Sequence, residues 1–210
     1  MQKKELIAVL GDKLDFPWKQ KNGGGNVWFE HKNAEGQVSK ILFSVLNTSE
    51  NGLAIIGTLS ACKSFPEVEN ILQKYYKKYQ VGMLPFTIRH QSARDESIMD
   101  HRIKVPGDID ALLPFLRHAL LEEILPFLDR YTTIGQVYDT LERMQEHEMS
   151  TFIYLPVKQR RLILKRLMQD PGFEAYGNSL IDFYEKGPKD RQAMQHYQYL
   201  PELFEDLKNM

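Results

Sequence analysis

The sequence predicts an α+β fold, an antiparallel sheet of about five strands packed with helices and followed by a C-terminal helical array. Strand-like runs dominate the first half, where NVWFEH, QVSKILFSVL and GLAIIGTLSA succeed one another. Turn-rich joints, KNAEG and NTSENG, separate them, as in an antiparallel meander. After Pro106-Gly107 the alternation stops and apolar residues recur at helical spacing. The length of 210 residues, 42% of them hydrophobic, suits one sizeable core with a helical annex. Residues 1–107 are therefore expected to hold the sheet with its packed helices. Residues 108–210 are expected to be helical and packed on the same core, one domain overall.

Taken in order, ELIAVLGDKL reads as a first helix, with Gly11 near its end. The glycine run Gly23-Gly24-Gly25 then raises a choice between a phosphate cradle and a turn. A Walker loop needs Lys and Ser/Thr directly after its glycines and a helix beyond them. A dinucleotide fingerprint also requires that helix. Here Asn-Val-Trp-Phe follows, an extended run, so the glycines are expected to turn a hairpin. In QVSKILFSVL, Ile41, Phe43 and Val45 share one face while Leu42 and Leu46 share the other, which marks a central strand covered on both sides.

FPEVENILQKYYKKY reads as a helix with Val68, Ile71, Leu72, Tyr75 and Tyr79 as its apolar stripe. Ser64 and Glu67 stand at the spacing of a capping box. LPFTIRH and IMDHRIKV are expected to be two further strands around the polar loop QSARDES. Asp108 or Asp110 can cap the next helix, through ALLPFLRHALLEEIL, with Pro114 setting its start and Pro126 ending or bending it. Thr133 and Gln136 repeat the capping-box spacing, and Ile134, Val137, Leu141 and Met144 face inward beyond them. VKQRRLILKRLM, FEAYGNSLIDFYEKG and PELFEDLKNM complete the helical series, with Asp170-Pro171 and Gly187-Pro188 as stops.

A formal charge of −1 argues against a dedicated nucleic-acid protein, which carries a strongly basic face. The single cysteine, Cys62, excludes an internal disulfide, and with six scattered histidines it leaves no cysteine-based zinc site. No apolar run approaches a membrane-spanning length, and the N-terminus lacks the pattern of a signal peptide. A reducing, cytoplasmic setting is the simplest fit. No metal, cofactor or catalytic set is expected.

Candidate contact residues fall in four places. Trp28 follows the glycine turn, where an aromatic ring either packs in the core or anchors a partner. The stretch RHQSARDESIMDHR gathers Arg89, His90, Arg94, Asp100, His101 and Arg102, residue types that hold an anion or a metal or run acid/base chemistry. Strand geometry places Asp100 and Arg102 on the face opposite His101, so a solvated, ion-paired hairpin tip explains the same letters. In KQRRLILKR, Lys158, Arg161 and Lys165 share one side of a helix beside Arg160 and Arg166, a basic ridge read as a solvated outer face. Tyr197 and Tyr199 lie in an aromatic C-terminal segment that either packs the last helix or offers a strip to a partner.

With no catalytic motif in the chain, the sequence points to a non-catalytic protein-interaction or regulatory protein. Its partner is expected to be another protein or a second copy of itself, neither a membrane nor a nucleic acid. The alternative is an enzyme or small-ligand-binding protein with a site around the 89–102 hairpin.

Overall fold

Five strands lie side by side in chain order in the computed structural model, which describes residues 2–23, 26–47, 52–94, 101–187, 195 and 197–210. They are β1 (Lys19–Gly23), β2 (Asn26–Lys32), β3 (Val38–Asn47), β4 (Leu53–Ser64) and β5 (Ile88–Gln91). The chain separates into two compact units. Met1–Lys63 with Arg89–Tyr131 carries the body of the sheet, and Ser64–Ile88 with Thr132–Met210 is mainly helical. The division differs from the change of architecture at residues 107–108. The helices between residues 113 and 130 belong with the sheet, and the helix after residue 65 belongs with the later helices.

In the sheet unit, β1 and β2 pair antiparallel with Gly23 opposite Asn26, so the chain does reverse at the glycine run; Gly24 and Gly25 themselves lie outside the described residues. β1 was absent from the apolar runs that marked strands, because KQKNG has no buried face to pattern it. Conversely, the run at 98–105 forms no strand in its described part. Residues 98–100 lie outside the description, and Ile103 makes an isolated bridge to Leu53, each N–H donating to the other's carbonyl at 3.0 and 2.8 Å. The chain is turning there: the Asp108 carboxylate accepts from the N–H groups of Lys104 and Val105 at 2.7 and 3.0 Å. Asp108 thus closes the entry to a 3-10 helix at Pro106–Leu112 rather than capping an α-helix.

One face of the sheet presents Phe29, Ile41, Phe43, Leu59 and Ala61 to helices that carry Leu6, Leu10, Leu112, Leu116, Ile124 and Leu128, all at most 3% exposed. These come from α1 (Lys3–Leu14), the 3-10 helix and the segment made of α3 (Leu113–His118), a π-turn at Ala119–Ile124 and α4 (Leu125–Arg130). Pro126 does not end this segment. It lacks the N–H that would bond four residues back, and the π-turn just before it shifts the ladder, with Leu125 N–H reaching Leu120 O. β3 is the central strand, as expected, but it is not fully covered on both sides: Ile41, Phe43 and Val45 are buried, whereas Leu42 on the other face is half-buried.

The helical unit contains α2 (Pro66–Lys78), α5 (Ile134–Arg143), α6 (Met149–Phe152), α7 (Val157–Leu167), α8 (Phe173–Lys186) and α9 (Leu200–Lys208). The capping box at Thr133 and Gln136 forms as its spacing requires. That at Ser64 does not: Ser64 ends β4 and is buried, and Phe65 takes the N-cap position ahead of Pro66, with its own N–H donating to Thr87 Oγ1 at 3.1 Å. The α6 segment carried no sequence signal, being a single short turn of MSTF.

Arg160 organises the centre of this unit. It is fully buried and donates from Nε and a terminal nitrogen to both oxygens of Glu69, each at 2.8 Å. Its remaining donors reach the carbonyls of Leu84, Tyr154 and Leu155. Thr87 Oγ1 donates to Glu69 Oε1 at 2.8 Å. One guanidinium thereby joins α2, the strand approach at 84–87 and the turn into α7, with both charges hydrogen-bonded. Tyr199 is equally buried, its ring centroid about 6 Å from those of Tyr75, Tyr76 and Tyr79. Gly177 lets α9 come close, since a Cβ there would meet the Phe204 ring at 2.2 Å.

The basic ridge of α7 is not a solvated face. Arg161 forms a two-pronged bridge to Glu142 at 2.8 and 2.9 Å, and Lys165, almost buried, reaches Glu142 and Asp170. Lys165 and the Tyr138 hydroxyl, both donating to the Asp170 carboxylate, hold that carboxyl down at about 2.

Arg160→Ala should lower stability by about 3–5 kcal/mol, because Glu69 would remain buried without its counter-charge. Urea unfolding measures this, and a loss under about 1 kcal/mol would contradict the central role given to the pair. Asp170 carries a pH signature. Its folded pKa lies below the unfolded value of about 3.9. Its stabilisation is therefore present above about pH 4 and lost as pH falls through about 2. Asp170→Asn should be less stable than the parent at pH 7, with the gap closing between about pH 4 and pH 2.

Candidate functional site

Strand register decides which side chains share the sheet face turned away from its helices. Lys21 pairs with Trp28, and Trp28 with Leu42; Lys19 pairs with Glu30, and Glu30 with Lys40; Lys32 pairs with Val38. Because side chains alternate along a strand, all of these lie opposite the core positions Phe29, Ile41 and Phe43. Arg89 of β5 joins them, since its neighbour His90 points to the helix side, stacked on Phe127 with ring centroids 4.8 Å apart. Cys62 of β4 is on the same side as Arg89 and Lys40, whose charges act on its thiol.

Trp28 is the centre of a bonded cluster here rather than a core residue. It is half-buried, donates from Nε1 to Glu30 at 3.4 Å and lies under the Lys40 ammonium at 4.7 Å from the ring centroid. Lys21 and Lys40 reach the same carboxylate at 2.6 and 3.2 Å. Burial alone would raise the Glu30 carboxyl, but the hydrogen bonds from Lys21 and Lys40 outweigh it and hold the group below its usual range. Lys19, Lys21 and Lys32 are exposed. Among the described residues named here, Lys19, Lys21, Lys32, Lys40 and Arg89 face one carboxylate, Glu30. Sequence reading singled out Trp28 and Arg89 separately. The lysines carried no signal of their own, because only pairing across strands brings them together.

The 89–102 stretch does not converge on a common centre in its described part. Arg89 and His90 point to opposite sides, Arg94 and Arg102 are exposed, and Asp100 lies outside the described residues. The His90 imidazole is held below its ordinary pKa by burial, partly countered by Glu123. His101 is occupied elsewhere, with Nε2 at 2.6 Å from the carbonyl oxygen of Asp108. Among the described residues no group of three or more His, Cys, Asp and Glu side chains is placed to hold a metal ion, and no helix is long and apolar enough to cross a membrane.

At the C-terminal segment the two tyrosines part ways. The Tyr197 hydroxyl donates to Glu185 at 3.1 Å on the surface, whereas Tyr199 is enclosed and offers nothing to a partner. Of the two, Tyr199 packs the last helix down, its ring lying against those of Tyr75, Tyr76 and Tyr79.

No family model, no curated protein and no solved structure matches this chain.

Burial pushes the Cys62 thiol up to about 11, against the pull of Arg89 and Lys40. The thiolate is the reactive form. Folded protein at pH 8 should therefore react with a disulfide reagent such as dithionitrobenzoate at least a hundredfold more slowly than protein in guanidinium chloride. Equal rates would show an open, activated thiol.

Proposed function

We propose that this chain is a non-catalytic binding protein that docks an acidic protein partner on the Trp28-centred face of its sheet. What carries the reading is the segregation of charge: among the described strand residues, Lys19, Lys21, Lys32, Lys40 and Arg89 share one face with the Glu30 carboxylate, in a chain whose formal charge is −1. Such a face steers a negatively charged partner and sets its orientation. Trp28 adds an amphipathic ring of the kind that anchors interfaces, with an apolar neighbour in Leu42. The exposed lysines of β1 also keep that edge strand from pairing with unrelated strands, so the edge is guarded while the face is left available.

An acidic protein suits this face better than a nucleic acid. Base stacking uses open aromatic faces in succession, whereas the described strand residues of this face bring the Trp28 ring alone, and Lys40 lies over it. A catalytic role around residues 89–102 draws less support. His90 is stacked on Phe127, His101 is bonded to the backbone, and the Cys62 thiol stays protonated near neutral pH.

A labelled peptide of alternating glutamate and leucine tests the reading by fluorescence polarisation. Lys19→Glu/Lys21→Glu/Lys32→Glu should weaken its binding at least tenfold, and Trp28→Ala at least threefold. Affinity should fall as salt rises. Unchanged affinity in the triple variant would sink the proposal, and tighter binding of a single-stranded oligonucleotide than of the peptide would replace it with nucleic-acid recognition.

A further inference from the structure

A cleft of 290 Å³ opens within the helical unit, between the turn after α6, the first turn of α7 and one side of α8. Leu155, Pro156 and Val157 supply apolar wall, and Tyr176 and Tyr184 supply aromatic surface. This site is separate from the sheet face and rests on different observations. Its volume is at the lower end of ligand pockets, enough for one residue-sized molecule.

Three features give the cleft a chemical character. The first is its cations. Lys158 Nζ lies 3.4 Å from Glu146 and 3.7 Å from the centre of the Phe183 ring, and Arg161, held by Glu142, lies over Tyr176 at 4.9 Å. The second is the opening of α7, a helix of 11 residues that begins with Pro156 at its N-cap and no side-chain cap. The N–H groups of Val157, Lys158 and Gln159, all wall residues, have no hydrogen-bond partner among the described residues. Uncapped amides at a helix N-terminus favour an anion. The third is Gln159 itself, a wall residue that is fully buried. Its Nε2 donates to the Tyr184 hydroxyl at 3.4 Å, and its Oε1 is buried with no partner. Buried amide oxygens are ordinarily paired, so this one is an acceptor without its donor.

The cleft therefore combines N–H donors and cations suited to a carboxylate, an acceptor suited to a nearby N–H, and apolar surface. We propose that it binds an apolar α-amino acid group: a carboxylate, an N–H on the adjacent carbon and an apolar side chain. The carboxylate lies at the first amides of α7 with Lys158 and Arg161 beside it. The ligand N–H donates to Gln159 Oε1, and its side chain covers Leu155, Pro156 and the tyrosine rings. A free amino acid and the C-terminal residue of a peptide share this chemistry.

Isothermal titration of the intact chain tests the proposal with four probes: phenylalanine, acetyl-phenylalanine, Gly-Gly-Phe and acetyl-phenylalanine amide. Binding of phenylalanine alone assigns the free amino acid, and binding of Gly-Gly-Phe or acetyl-phenylalanine assigns a peptide terminus; either supports the site. The amide should bind at least tenfold more weakly than the acid. Gln159→Leu and, on a surface position less critical to folding, Lys158→Met should each weaken binding at least fivefold. No binding of any acid at millimolar concentration would overturn the proposal, as would equal affinity for acid and amide. Unchanged affinity in the Lys158 variant, together with either unchanged affinity or failure to fold in the Gln159 variant, would do the same.

Discussion

Glu69 and Arg160 are separated by 91 positions in sequence, yet they meet as a buried ion pair at the centre of the helical unit. A buried guanidinium is tolerated when its donors are filled, and here the carboxylate and the carbonyls of Leu84, Tyr154 and Leu155 fill them. The arrangement ties α2 to the start of α7 by direction as well as proximity, because a planar fork accepts only a narrow set of approaches. The tyrosine cage around Tyr199 depends on that placement of α2. So does the position of α9, which Tyr79 and Lys78 hold through Glu202 at 2.6 Å each. Once α7 is oriented this way, Gln159 is drawn inward beside Arg160, and Lys158 and Arg161 are left at the cleft.

The sheet unit follows a simpler rule. One face is closed by apolar helices and the other carries the residues that alternate with the core positions. Alternation alone would make that second face polar, but it would not make it basic. The sign comes from the letters between the apolar ones, Lys19 and Lys21 in β1, Lys32 in β2 and Lys40 in β3. Glu30 is held among them by Lys21, Lys40 and Trp28, which fixes the ring within the cluster. The two units thus use charge in opposite ways: inward and bonded at Arg160, outward on the strand face around Trp28.

Much of this fold is legible in the chain because its elements have local causes. Alternating Ile41, Phe43 and Val45 define a strand with one buried face, Thr133 and Gln136 start a helix by bonding to each other's backbone, and the glycine run must reverse the chain between two extended segments. Periodicity, capping and turn chemistry act over a few residues, so they can be read without a partner. β1 escaped such reading because an edge strand of lysine, glutamine and asparagine has no apolar period. The break at 101–105 escaped it because Asp108 captures the backbone only once the chain has already turned.

Tertiary structure alone decided what the charged and aromatic letters do. In sequence, Arg160, Arg161 and Lys165 form one basic ridge; in space, Arg160 meets Glu69, Arg161 meets Glu142, and Lys165 meets Glu142 and Asp170. Tyr197 and Tyr199 look alike two positions apart, yet one reaches Glu185 at the surface and the other is enclosed by the rings of Tyr75, Tyr76 and Tyr79. The physical reason is range. Backbone preferences are settled by neighbours along the chain, whereas the meaning of a charge or a ring depends on which distant group excludes water from it.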